Sequence, residues 1–133
     1  MNTIAAQVEA EINLTENPEK VKLAVENVFG QVQFEFQTRK RGSTLLVRTT
    51  GTEGLAKLYN LLRREHIRDA ARSVLFKGIE GDNITFYLNK QVAYAGHLSF
   101  SEPTGESPLG PIKVTITCDN PRELIDWLAP RTT

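Results

Sequence analysis

One cysteine, two histidines and one tryptophan occur among the 133 residues. A lone cysteine closes no internal disulfide and supplies no cysteine-rich metal site. Cys118 also falls on an apolar position of a strand-like run, so it reads as core in a reducing, cytoplasmic setting. The two histidines, His66 and His97, lie in a helix junction and a strand-like segment. With no Gly-x-Ser-x-Gly elbow and no His-Glu-x-x-His pair, the sequence points away from a catalytic triad and a zinc hydrolase. Glu80 and Asp82 sit among Gly78, Gly81 and Asn83 and read as turn residues, not metal ligands. No apolar run approaches the roughly 20 residues of a membrane span, and the first lysine, Lys20, falls too late for a signal peptide. The expectation is a protein without a membrane segment, cofactor or metal, and not an enzyme.

What the chain does have is an uneven distribution of charge. Formal net charge is zero, yet residues 1–38 carry −4, residues 39–77 carry +7 and residues 78–133 carry −3. The basic third holds Arg39, Lys40, Arg41, Arg48, Lys57, Arg63, Arg64, Arg68, Arg72 and Lys77. A basic segment of that density fits a polyanion partner, and it also fits long helices that need solvated faces.

Length suits a single domain over residues 1–133, burying roughly two-thirds of the unfolded surface. Ile4, Ala6, Val8, Ala10, Ile12 and Leu14 alternate with polar residues, which predicts a first strand with one buried face. Asn17-Pro18-Glu19 then carries cap, first-turn proline and dipole-matched acid, so a helix follows up to Gly30. Val32, Phe34 and Phe36 begin a hairpin whose tip is Arg39-Lys40-Arg41 and whose return strand holds Leu45, Val47 and Thr49. Thr52 is the expected cap of a helix carrying Leu55, Leu58, Tyr59 and Leu62, and a phase shift near Glu65-His66 favours a second helix up to Gly78. Ile84, Phe86 and Leu88 predict a strand, Asn89-Lys90-Gln91 a turn, Tyr94–Phe100 a return strand, and Ile112, Val114, Ile116 and Cys118 a third. Between them Ser101–Pro111, with three prolines, reads as an ordered surface connection. Asn120-Pro121 opens a last helix in which Trp127 reads as core. The resulting class is α+β: two layers, a mixed, mostly antiparallel sheet with helices on one face, in the order β-α-β-β-α-α-β-β-β-α.

Two Gly-x-x-Gly strings occur, at residues 51–54 and 78–81. Neither joins two helices and each holds a glutamate, so neither suits a loop that clamps nucleic-acid backbone. The polar sheet face offers only Tyr87 as a solvated aromatic, too few for a base-stacking platform. Attention therefore falls on the helices. Lys57, Arg64, Arg68 and Arg72 are spaced by seven, four and four and share one stripe if the helix is continuous. Glu65 and Asp69 compensate part of that charge, and Arg64 has no acid three or four residues before it. Such a stripe suits phosphates, which arginine grips with two parallel N–H donors.

The strings LRREHIRDAAR at 62–72, FYLNKQVA at 86–93, SPLGPI at 107–112 and IDWLAP at 125–130 resemble a small archaeal family described as predicted RNA-binding. Val92, where alanine is expected, is the one departure noted. The resemblance implies a fold like that of the five-S-rRNA-binding large-subunit ribosomal protein and a role as accessory of the RNA exosome. It carries over no catalytic residue. The sequence reading is thus a non-enzymatic RNA-binding accessory protein linked to RNA processing, with Arg39, Lys40, Arg41, Lys57, Arg64, Arg68 and Arg72 on phosphates and Lys90 as a secondary contact. RNA-processing proteins are further candidate partners, and a homodimer is left open. The rival reading is a protein-interaction subunit whose basic segment docks an acidic partner.

Overall fold

Alternation fixes the first strand. In the computed structural model, which describes residues 3–103 and 110–132, β1 (Ile4–Ile12) buries Ile4, Ala6, Val8, Ala10 and Ile12 on one face and turns Gln7, Glu9 and Glu11 to the other. Asn17 caps α1 (Pro18–Phe29) by accepting from the Glu19 N–H at 2.9 Å, and Gly30 closes it with φ 81°. The basic hairpin follows as β2 (Phe34–Arg39) and β3 (Gly42–Thr50).

The break between the next two helices has a local cause. After a 3₁₀ turn at Thr52–Leu55, α2 (Ala56–Arg64) ends at Glu65, whose carboxylate turns aside to meet His97 Nδ1 at 2.9 Å and the Leu98 N–H at 3.2 Å. His66 then adopts φ 57°, the left-handed region that ends helices. From there α3 (Arg68–Lys77) runs back. Thr52 is not the expected cap: Gly51, with φ 74°, holds that position and no side chain caps the turn.

The predicted hairpin after Leu88 is replaced by a helix. Residues Ile79–Glu80 form β4 and pair with β5 (Asn83–Leu88), while Asn89 caps a short α4 (Lys90–Tyr94) by accepting from the Val92 N–H at 3.0 Å. Of the predicted return strand only an isolated antiparallel bridge between Leu88 and Phe100 is present. Of the connection from Ser101 to Pro111, residues 104–109 lie outside the described residues. The chain then enters β6 (Ile112–Cys118) and α5 (Pro121–Leu128), capped by Asn120.

The six strands lie in the order β2-β3-β1-β6-β5-β4, with every neighbouring pair antiparallel. Helices cover one face, where the inward side chains of the strands join Val25, Val28, Leu58, Leu62, Leu75, Leu124 and Leu128 in one apolar cluster. The observed order is β-α-β-β-α-α-β-β-α-β-α. Class, layering and strand number match the sequence reading, whereas α4 and the placement of one strand differ. Cys118 is buried as expected, whereas Trp127, expected in the core, is partly buried and packs against it, stacked on Tyr59 at 4.8 Å between ring centroids.

Candidate nucleic-acid interface

A helix leaves its last carbonyls without internal partners, and a cation nearby satisfies them and meets the negative end of the dipole. None of α1, α4 and α5 has a basic residue in its own last turn. The basic third of the chain supplies those cations from neighbouring elements. Lys57 Nζ donates to Glu26 O at 3.0 Å near the end of α1. Arg64 Nη2 donates to Gly96 O at 2.6 Å just past α4. Arg63, its guanidinium 3.3 Å from the Tyr59 ring centroid, donates to Leu128 O at 3.2 Å and Trp127 O at 3.4 Å at the end of α5. Arg72 donates to Ala129 O at 3.4 Å and pairs with Asp126 at 2.7 Å. Much of the +7 segment is therefore helix-end chemistry between elements.

This arrangement also breaks the proposed stripe. With the helix interrupted at Glu65–Ile67, Arg64 turns toward the segment after α4 and Arg72 toward α5. Glu65 is fixed at the corner. Its partial burial disfavours the charge, but the hydrogen bond from Leu98, together with His97 and Arg64, outweighs that and holds its carboxyl below the ordinary value of 4.5.

Lys90 is corrected outright as a surface contact. It is 4% exposed, and its Nζ donates to Glu11 O at 2.7 Å and to both Glu16 carboxylate oxygens at 3.0 and 3.1 Å. Those bonds tie α4 to the β1–α1 connection and engage the Lys90 ammonium within the protein.

At the hairpin tip Arg39 is held by Glu11 at 2.7 Å and lies 3.3 Å from Thr44 Oγ1. Lys40 and Arg41 are exposed beside it, around a depression of about 370 Å³. The open sheet face is polar and self-compensated, with Arg48 on Glu35 at 2.7 Å next to Gln7, Glu9 and Lys113.

A further group of cations lies between α3 and α5. Arg72, Arg122 and Arg131 line a concavity of about 560 Å³ with Asp69, Ser73 and Phe76. Asp69 is occupied by Thr132, whose hydroxyl donates at 2.6 Å. The guanidinium carbons of Arg72 and Arg122 lie 4.9 and 5.5 Å from the Phe76 ring centroid. Arg122 and Arg131 have no ion pair among the described residues, and neither does Arg68 one turn along α3 from Arg72. Arg68 opens its helix, where a cation opposes the dipole, so helix stability does not account for it. Arg68 lies one turn away on α3, and of the residues singled out in the sequence the cleft itself holds Arg72. It adds Arg122, Arg131 and Phe76, which sequence reasoning passed over. The tip stands apart: it belongs to β2, whereas α3 packs on β5, four strand spacings of about 4.8 Å away, an offset of roughly 20 Å across the sheet alone.

Among the described residues no three His, Cys, Asp or Glu side chains gather to hold a metal ion, and no helix is long and apolar enough to cross a membrane.

A family model described as RNA binding matches residues 5–118. A UPF0201 protein of Pyrobaculum calidifontis is 47% identical over 92% of this chain and 86% of its own length. Its counterpart from Aeropyrum pernix is 48% identical over 94% and 84%. The crystal structure of a UPF0201 protein from Methanococcus jannaschii is similar with a TM-score of 0.85 and 34% identity, over 97% of this chain and 95% of that one.

Proposed function

This chain belongs to the archaeal UPF0201 family, and on that footing we propose that it is a non-enzymatic RNA-binding protein that grips phosphates through the helical layer. The observation that carries the proposal is the α3–α5 cleft. There Arg122 and Arg131 bring charge that no ion pair among the described residues takes up, and Arg68, one turn before Arg72 on α3, has none either. The exposed Lys40 and Arg41 at the hairpin tip offer a second, separate phosphate contact. Lys57, Arg64 and Arg72 are assigned to holding the helices together, with Arg72 also forming the cleft wall. A role in RNA processing, including service to the exosome, and kinship of fold with the five-S-rRNA-binding ribosomal protein belong to the same proposal and rest on the family resemblance, and a cytoplasmic setting on the lone core cysteine.

Each phosphate neutralised by an arginine releases condensed counterions, so affinity falls with salt at a log-log slope of about −0.7 per contact on a single strand. Replacing Arg68, Arg122 and Arg131 together by glutamine is expected to flatten the slope by about 2. The fold should survive, since these side chains lie outside the apolar cluster. Equal RNA affinity and slope for the wild type and a folded triple variant would end the assignment. Loss of an acidic protein partner by that variant, with RNA binding unchanged, would favour the docking rival.

A further inference from the structure

The shape of the α3–α5 cleft carries a statement about which RNA it accepts. Arg72 is only 18% exposed at its side chain and Phe76 is partly buried, so a group must enter the cleft to reach them. A duplex roughly 20 Å wide presents a ridge of phosphates and keeps its bases stacked inside, whereas a single strand can splay a base outward. The floor suits such a base. Phe76 is flanked by Arg72 and Arg122, and Arg122 combines a planar guanidinium beside an aromatic ring with a charge that no carboxylate among the described residues neutralises. Guanidinium planes accept stacked bases, and their edges grip phosphate. Arg131 and the exposed Ser73 line the same hollow.

We infer that the cleft between α3 and α5 binds an unpaired nucleotide of single-stranded RNA, its base stacked over Arg122 and Phe76 and its phosphate held by Arg122 and Arg131. This deepens the RNA reading above and rests on it. Arg122 serves in two capacities, plane and charge, and two substitutions separate them. Arg122→Lys keeps the charge and removes the plane; Arg122→Gln removes both.

The test uses the full chain with a short unstructured RNA and the same strand annealed to its complement, titrated at two salt concentrations. Single-strand binding should be tighter than duplex binding by at least about tenfold, the scale of one stacked base. Arg122→Lys should lose about that factor for the single strand with its salt slope unchanged. Arg122→Gln should also flatten the slope by about 0.7. Phe76→Leu, which keeps an apolar side chain under Arg122, should weaken the single strand and leave the duplex alone. Equal binding of both RNAs, or an Arg122→Lys variant that binds as the wild type does, would overturn the unpaired-nucleotide assignment while leaving RNA binding in place. Absence of binding to either RNA at low salt would overturn the RNA reading and this inference with it.

Discussion

Among the described residues Lys90 is the one buried charged side chain. Burying an ammonium costs several kcal/mol unless its donors are all satisfied, and here Glu16 and a β1 carbonyl satisfy them. Removal of Lys90 leaves the Glu16 carboxylate, its side chain 9% exposed, without its cation. Lys90→Met is therefore expected to destabilise the fold by about 3–5 kcal/mol in urea unfolding. A paired Lys90→Met/Glu16→Gln change should recover a measurable part of that loss. Glu65 supplies a pH signature. Its folded pKa lies below the ordinary 4.5, so its contribution is present above that value and is lost as pH falls through the lower, folded pKa. Glu65→Gln should be less stable than the wild type at neutral pH, with the gap closing below about pH 4.5 in thermal melts across pH.

At the scale of elements, the helices are bound to one another by cations donated across helix ends. Arg63 does this most fully, sitting on Tyr59 and bonding two carbonyls of α5. Hydrogen bonds from a charged donor contribute about 1.5–3 kcal/mol. Arg63→Met, which keeps the aliphatic packing, should lose roughly that much in denaturant unfolding, with early hydrogen exchange at the end of α5. Elements of this kind were unequally legible in the sequence. Strand alternation in β1 and β6 and the Asn-Pro caps of α1 and α5 identify themselves locally, because each signal is complete within one turn or a few residues. The region after Leu88 misleads because Tyr94, Gly96, Leu98 and Phe100 alternate like a strand, while the five-residue α4 is too short to show a helical period. Lys90 reads as a turn cation since its partner Glu16 is 74 residues away. Arg122 and Arg131 were hidden for the same reason: they sit singly in an acidic third of the chain and meet α3 only in the folded molecule.

For the whole molecule, a neutral total conceals two surfaces of different character. On the open sheet face acids and bases cancel in cross-strand pairs such as Arg48–Glu35, which suits solubility more than polyanion binding. On the helical layer several cations are consumed at helix ends, while Arg122 and Arg131 stand between α3 and α5 and Lys40 and Arg41 at the hairpin tip. Any RNA that uses both must extend across at least roughly 20 Å, the width of four strand spacings. Where RNA touches the protein can be read by chemical-shift mapping of the labelled protein during RNA titration. Perturbations are expected at residues 68–76, 122 and 131, with a smaller set at 40–41 and none at Lys90. Perturbations concentrated instead on Gln7, Arg48, Tyr87 and Lys113 of the open sheet face would contradict the assignment to the cleft.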